Sequence, residues 1–414
     1  MRTSARPVES VTDRQERISW WSQDKLRQAR VMIVGAGALG NEVIKNLALV
    51  GIGYMVVVDC DTIEISNLSR TALFRREDLG RRKAVVAAQR GNALNVEPSA
   101  CLEALDADLV WEVGLGLYRR VDVVLGCLDN LEARLAVNRA CLLTGRPLID
   151  GGIRELAGSV YVFQPPFPSC FSCATTRRER AAARARYDSC FQTLRRSHAQ
   201  GRLATVQVSS ALIAALQCEL ALKWLHQRLP LNGVRLQYDG SGSRPYFDTT
   251  TVFRRPHCEC EALRPLPDIA TLAGSRRTCT LRGLLARLQA AGLEGATVKF
   301  PGSFVAGVEC LRCGRYSPIR RPLYRLHNEE LQCHWCRRPG DREGLHLHYL
   351  GDSLEVLEAD ATGDQPPLQD LPLEQLGFPS LHVYDVQDCR GGWHYFELAD
   401  DLHEALPDLA RRLS

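Results

Sequence analysis

Between Ile33 and Arg134, glycines, acids and cations are spaced as the handling of a phosphate chain would require. "VMIVGAGALGNEVIKNLA" is an apolar run, then Gly35-x-Gly37-x-x-Gly40, then a helix-period pattern. Glycines so placed allow a tight strand-to-helix turn and let backbone N–H groups approach a phosphate at the helix amino end. Asp59 closes the next apolar run, nineteen residues after Gly40, where a carboxylate can hold ribose hydroxyls. The glycines alone indicate a nucleotide without saying which. The following "DCDTIEISNLSRTALFRREDLGRRKA" adds Asp61, Asn67, Arg70 and Lys83. Hydride transfer has no need of so many cations beside its cofactor, whereas neutralising a triphosphate does, so the pattern favours ATP over NAD. "LDNLEARLAVNR" then puts Asp129, Asn130 and Arg134 after the run Val121–Leu125. A carboxylate at the end of a buried strand is costly unless paired or on a metal. Asp and Asn are also favoured helix N-caps, a role that suits Asn130.

The thiols suggest further chemistry. Cys310-x-x-Cys313, nineteen residues, then Cys333-x-x-Cys336 has zinc-ribbon spacing, with Gly314 to permit the knuckle turn. Basic side chains from Arg315 to Arg325 lie between the pairs, and such a ribbon can dock protein or nucleic acid. Cys170-x-x-Cys173 and "HCEC", with His257, Cys258 and Cys260, hold more soft ligands. Cys190 sits in a stretch, 174–202, with eight arginines against two acids. Nearby guanidinium groups favour thiolate over thiol and make a better nucleophile. His198 is near in sequence but reads as exposed rather than catalytic. Cys218 reads as core, and Cys60, Cys101, Cys127, Cys141, Cys279 and Cys389 default to burial.

Strands and helices must position these groups. Val31–Val34, Tyr54–Val58, Val121–Leu125, Pro147–Ile149, Gly158–Gln164, Arg235–Tyr238 and Tyr246–Phe253 read as strands. Ala38–Val50, Gly80–Leu94, Asn130–Thr144 and a long apolar run from Val206 read as helices. Apolar strands alternating with helices predict an α/β fold: a Rossmann-like, mostly parallel sheet covered on both faces. Residues 174–205 lack apolar periodicity and predict a crossover loop. The expected organisation is an N-terminal arm and helix over 1–29 and the sheet domain over 30–264. A smaller α+β region follows over 265–414, with its zinc ribbon at 308–338. The net charge of +4 argues against a dedicated nucleic-acid binder, although local basic patches remain compatible with it. The apolar run from Val206 carries Glu219 and Lys223 and predicts a buried helix rather than a membrane span. A polar start, Met1-Arg-Thr-Ser-Ala-Arg, and sixteen cysteines read as ligands and core suggest a cytoplasmic protein.

The order glycine loop, acid-x-acid, Ser-Asn-Leu-x-Arg, Gly-x-x-Lys and Asp-Asn resembles the ubiquitin-activating enzyme superfamily, including the ThiF, MoeB and HesA adenylyltransferases. The likeness runs from Thr12 to Cys260. It implies that Asp129 holds Mg²⁺ on the triphosphate and that Arg134 is structural. Arg70 and Lys83 would hold phosphates. Arg14 of "DRQERISWW" would reach the nucleotide, commonly from a second subunit, which implies a homodimer. The resemblance pairs Cys170 and Cys173 with Cys258 and Cys260 around a structural Zn²⁺, although the family usually spaces the second pair Cys-x-x-Cys. His257 with Cys260 is the fallback pairing. It places Cys190 where the family keeps its catalytic cysteine. The implied reaction is ATP-dependent adenylation of the C-terminal glycine of a ubiquitin-like carrier, then a thioester for a conjugating enzyme. Thiocarboxylate formation on a sulfur carrier and a non-catalytic zinc-ribbon scaffold are the alternatives. Thr71 departs from the family's usual glutamine. The end segment "GFPSLHVYDVQDCRGGWHYFELADD" resembles that of some bacterial members.

Overall fold

The apolar runs of the first part of the chain become β1 (Arg30–Val34), β2 (Tyr54–Val58), β3 (Cys101–Leu105), β4 (Val123–Gly126), β5 (Leu148–Arg154), β6 (Ala157–Phe163), β7 (Val234–Asp239) and β8 (Tyr246–Thr251). They form one eight-stranded sheet in the order β3-β2-β1-β4-β5-β6-β7-β8. The neighbours from β3 to β5 run parallel, and β6, β7 and β8 are added antiparallel. Strand order reverses between β1 and β4, and the crevice beyond their carboxyl ends is where open sheets of this kind take ligands. The structure, a computed structural model, describes residues 10–181, 205–326, 333, 335–336, 345–350 and 366–414. Among these, one compact unit holds residues 10–109, 118–175 and 205–264, and the other holds 110–117, 176–181 and those from 265 on.

Helices α1 (Asp13–Glu16) and α2 (Gln23–Gln28) precede β1, and α3 (Ala38–Val50), α4 (Lys83–Leu94), α5 (Leu115–Arg119), α6 (Leu131–Thr144) and α7 (Phe171–Ala174) lie between strands. Glycines mark the bounds of α3: Gly37 precedes it, and Gly51 ends it in the left-handed region at φ +77°. Gly80 turns at φ +80°, so α4 starts at Lys83 rather than at Gly80. β4 starts two residues later than the apolar run, because Asp122 is turned to the Arg30 amide (2.8 Å) and guanidinium (2.9 Å). β5 outlasts its apolar run because Asp150 to Arg154 pair with β6. β3 is a strand the sequence hid: it is an edge, and its side chains are mostly half-buried. Residues 177–181, expected as loop, are helical.

The helix Gln207–Leu225 is long and apolar enough to cross a membrane by length and composition. Here its Ile213, Ala214 and Ala221 are buried in the sheet's main core. Its Gln217 donates to the carbonyls of Gly126 (2.9 Å) and Ile149 (3.0 Å), closing the ends of β4 and β5. A buried amide so satisfied belongs to a core helix.

The second unit holds β9 (Ala270–Leu272), β10 (Thr297–Val298), β11 (Phe304–Cys310), β12 (Tyr316–Pro322), β13 (Leu345–Leu350), β14 (Tyr384–Gln387) and β15 (Trp393–Leu398). One sheet has the order β10-β14-β15-β9 and is packed through Tyr384 and Val386 against Leu284, Leu288 and Phe378. The other is the three-stranded antiparallel ribbon β12-β11-β13. Trp111, from the link between β3 and β4, stacks on Tyr324 at 5.1 Å within this unit. Burial was not the rule for the remaining thiols: Cys127, Cys141, Cys218 and Cys279 are buried, but Cys60 and Cys389 are exposed and Cys101 is intermediate.

Candidate active site

The loop between β1 and α3 is built by close approach. Gly35 sits at φ +96°, and a Cβ there would meet the Cys127 carbonyl oxygen at 2.7 Å. A Cβ on Gly40 would lie 1.9 Å from the Gly35 oxygen. Gly37 is different, since a Cβ there would meet nothing within 4 Å. The first two glycines are therefore demanded by protein packing, whereas Gly37 faces open space at the amino end of α3, where a phosphate would sit. Asn41, which sequence reasoning missed, ties this loop down. Its Nδ2 donates to the Ala36 (2.7 Å) and Gly37 (3.0 Å) carbonyls, and its Oδ1 accepts from the Leu73 amide (3.0 Å). A fully buried Asn on an apolar helix was the available signal.

Asp59, half-buried at the end of β2, accepts from the amides of Ala36 (2.7 Å) and Asp61 (2.8 Å), one on each oxygen. A carboxylate has about four lone-pair sites, so acceptor capacity for ribose hydroxyls remains. Burial pushes its pKa up, opposed by Lys83 and by those two amides. Lys83, the first residue of α4, donates to Asp61 at 2.8 Å. Burial works against its charge, but Asp59, Asp61 and Asp129 prevail and its pKa is raised, so it stays cationic. Four of the expected cleft residues thus act on one another at the carboxyl ends of β1, β2 and β4. Asp129 itself is exposed, and among the described residues no hydrogen bond reaches its carboxylate. Such an acid beside a phosphate site suits a divalent cation carrying oxygen ligands.

Two other expected residues, Asn130 and Asn67, serve the scaffold. Asn130 caps α6, its Oδ1 accepting from the Ala133 amide at 2.8 Å. Asn67 is buried and its Oδ1 accepts from the Glu64 amide at 2.9 Å, so it shapes the turn before Arg70. Arg70 is half-buried and donates to the Thr205 hydroxyl at 3.1 Å. Thr71 donates its hydroxyl to the Asn67 carbonyl at 2.9 Å. Arg14 is exposed on α1, where Gln15 reaches the Val50 carbonyl at 3.2 Å. That is the far end of α3, about 20 Å from the glycine loop at 1.5 Å per residue. Arg14 is therefore not brought to its own chain's cleft. Cys60 is exposed overall, but partial withdrawal of its sulfur from water, with Asp108, Asp61 and Asp59 nearby, pushes its thiol up to about 12. Cys190 and His198 lie outside the described residues.

Arg134 is structural, as expected. It donates to the Leu128 carbonyl (2.7 Å) and the Gly151 carbonyl (2.8 Å), tying the turn before Asp129 to β5. Its guanidinium lies 5.6 Å from the Phe171 ring centroid. It also stands 3.4 Å from the buried Asp150, whose Oδ2 has no hydrogen-bond partner among the described residues. Burial pushes Asp150 up to about 6, with Arg134 opposing. A carboxyl whose pKa rises on folding stabilises the fold when protonated. That contribution is lost as pH climbs from the unfolded value of about 3.9 through about 6, by roughly 3 kcal/mol at most. Urea midpoints at pH 5 and pH 7 are expected to differ less in Asp150→Asn than in the wild type.

Two thiol groups meet the geometry of zinc. Cys170 and Cys258 have sulfurs 3.6 Å apart, Cys173 and Cys260 3.6 Å, and Cys170 and Cys173 3.9 Å. A tetrahedron of 2.3 Å Zn–S bonds has edges of about 3.8 Å. Cys258 and Cys260 complete this group despite their Cys-x-Cys spacing, and His257, at φ +56°, stays exposed. Asn138 of α6, also missed from sequence, binds both halves: it accepts from the Phe171 amide (2.8 Å) and donates to Ser172 (3.3 Å) and Glu259 (3.4 Å). In the ribbon, Cys310 and Cys336 are 3.9 Å apart and Cys313 and Cys333 3.6 Å, with Gly314 at φ +65°. All-thiolate sets of four have no open position, so both suit closed structural Zn²⁺.

Comparison with known proteins agrees with this architecture. The profile of the ThiF family matches residues 12–262. The chain is 35% identical over 242 residues to "Sulfur carrier protein adenylyltransferase" of Thermus thermophilus, covering 57% of this chain and 83% of that protein. It is 36% identical over 150 residues to "SUMO-activating enzyme subunit 2" of Dictyostelium discoideum, covering 36% of this chain but only 22% of that protein. Among solved structures, MccB of E. coli aligns with TM-score 0.49 and 21% identity over 62% of this chain and 74% of its own. The chain belongs to the ThiF family, the ATP-dependent adenylating enzymes of the ubiquitin-activating superfamily.

Proposed function

We propose that the chain activates the C-terminal carboxylate of a ubiquitin-like or sulfur-carrier protein ending in glycine. The observation that carries this is the convergence of Asp59, Asp61, Lys83 and Asp129 beside the open face of Gly37. A carboxylate is a poor acyl electrophile. One of its oxygens attacks the α-phosphorus of ATP, the bond from that phosphorus to the bridging oxygen of the β-phosphate breaks, and pyrophosphate leaves. The chain's part is positioning and spreading of charge. The amides at the start of α3, Lys83 and Arg70 take the phosphates, and Asp59 takes the ribose. Asp129 would hold Mg²⁺, whose charge makes pyrophosphate a better leaving group. Because Arg14 is remote from its own cleft, it fits a homodimer in which each site borrows Arg14 from the other copy.

In the next step the Cys190 thiolate attacks the acyl carbonyl, AMP leaves, and the thioester is passed to a conjugating enzyme. A second reading is favoured by the similarity to a sulfur carrier protein adenylyltransferase over 83% of that protein's length. There the adenylate yields its acyl group to a sulfur donor, giving a thiocarboxylate. ATP–pyrophosphate exchange with candidate carriers tests the shared first step. A carrier adduct that forms only with ATP, is cleaved by excess thiol or hydroxylamine and is absent in Cys190→Ala is the result expected for thioester transfer. Exchange with no adduct points to the sulfur reading, and no exchange with any carrier points to a non-catalytic scaffold.

A further inference from the structure

Arg70 differs from the cations that follow it in the kind of partner that holds it. Arg81 and Arg90 share the buried Asp78, at 2.7 and 3.3 Å. Arg82 pairs with Asp106, and Lys83 pairs with Asp61 at 2.8 Å. Each of these gives its charge to a carboxylate. Among the described residues, the Arg70 guanidinium bonds only a neutral group, the Thr205 hydroxyl, at 3.1 Å. A hydroxyl accepts a hydrogen bond without neutralising the cation, and most N–H donors of the guanidinium are left for anionic oxygens.

Thr205 is well placed to fix an orientation, because its own backbone is tied down. It forms a parallel bridge with Glu155, in the turn between β5 and β6. Glu155 stands at φ +50°, a conformation uncommon for a residue with a side chain. The Ser209 hydroxyl donates to the Glu155 carbonyl at 2.6 Å and secures the same turn from the next stretch of chain. Between these two contacts, Gln207 donates at 2.9 Å to Glu42, which is fully buried on α3 close behind Gly40. Lys45 pairs with Glu42 and balances its charge. The stretch from Thr205 to Ser209 is thus anchored both to the sheet and to the helix whose amino end faces the phosphate position.

We propose that Thr205 is a positioning residue for adenylation: its hydroxyl holds the Arg70 guanidinium in the orientation that receives a phosphate of ATP, with the charge left unpaired for it. This rests on the reading of Arg70 as a phosphate ligand. Thr205 touches no phosphate itself and acts through Arg70. A long arginine side chain loses rotamer freedom when it grips an anion, and a bond that already holds it reduces that loss.

The test is calorimetric titration of the full chain with MgATP, with urea midpoints reporting that each variant is folded. Thr205→Val keeps the shape of the side chain and removes the acceptor, and is expected to weaken MgATP about three- to ten-fold. Thr205→Ser restores the hydroxyl and is expected to bind within about two-fold of the wild type. Arg70→Ala is expected to weaken MgATP about ten- to a hundred-fold, and adding Thr205→Val to it to change nothing further. A threonine that served only the fold would cost affinity equally with and without Arg70, and that result overturns the proposal. It is also overturned if Thr205→Val binds MgATP as the wild type does while Arg70→Ala does not, in which case Arg70 stands as a ligand without Thr205. If Arg70→Ala itself binds MgATP like the wild type, the reading of Arg70 falls and this proposal falls with it.

Discussion

Asp129→Asn is expected to lower ATP–pyrophosphate exchange by about a hundred- to a thousand-fold while leaving the unfolding midpoint unchanged. The two halves of this result have separate causes. The Asp129 carboxylate is exposed at the end of β4 and, among the described residues, receives no hydrogen bond, so the fold loses nothing when its charge goes. What goes is the negative charge that would hold Mg²⁺ against the phosphates, and an amide oxygen is a weak substitute. Raising Mg²⁺ is expected to restore part of the rate. The neighbouring residue supplies the contrast. Asn130 caps α6 through the Ala133 amide, so Asn130→Ala is expected to cost about 1 kcal/mol of stability. Denaturant curves and exchange rates measured on both variants give opposite patterns if the Asp-Asn pair divides its labour in this way.

The largest loss of stability is expected from Cys173→Ser. Cys170, Cys173 and Cys260 are buried and Cys258 is half-buried, with sulfurs at tetrahedral separations. Losing one ligand ejects the cation, the remaining cysteines take up protons, and the clamp between 170–173 and 258–260 is lost, a change worth several kcal/mol. The damage is expected to reach the cleft. Asn138 bonds Phe171, Ser172 and Glu259 around the zinc group, and Arg134, one turn earlier on α6, holds the Leu128 carbonyl just before Asp129. MgATP affinity is therefore expected to fall together with zinc content from two ions per chain to one. Cys313→Ser, in the ribbon, is expected to lose the other zinc and keep MgATP affinity. Metal analysis paired with calorimetry separates the two sites. If Cys173→Ser retains both zinc ions, this assignment of the ligand set is wrong.

Much of this was legible in the sequence for identifiable reasons. The bounds of α3 were readable because Gly37 and Gly51 punctuate it, and β2 because Tyr54–Val58 is apolar on both faces. The cleft acids were readable because they stand at strand ends, where the chain must turn. The edge strand β3 was not, because in Cys-Leu-Glu-Ala-Leu only Leu102 is fully buried, too weak an apolar signal to stand out. Cys60 was misread as buried because it continues the run Met-Val-Val-Val-Asp, yet the chain leaves the sheet after Val58. Asn41 and Asn138 were missed because a buried amide draws attention only once its backbone partners are known, and those lie far away in sequence. The remoteness of Arg14 from its own glycine loop follows from the length of α3 and from Gln15 docking at its far end, a tertiary contact with no local signature.

We propose that the crevice beside Gly37 takes the triphosphate of ATP. Calorimetric titration with MgATP and with NAD, on the wild type and Lys83→Ala, tests it most directly. MgATP is expected to bind in preference to NAD, and Lys83→Ala to weaken it at least about ten-fold. Preferential binding of NAD, or MgATP binding indifferent to Lys83, would contradict it.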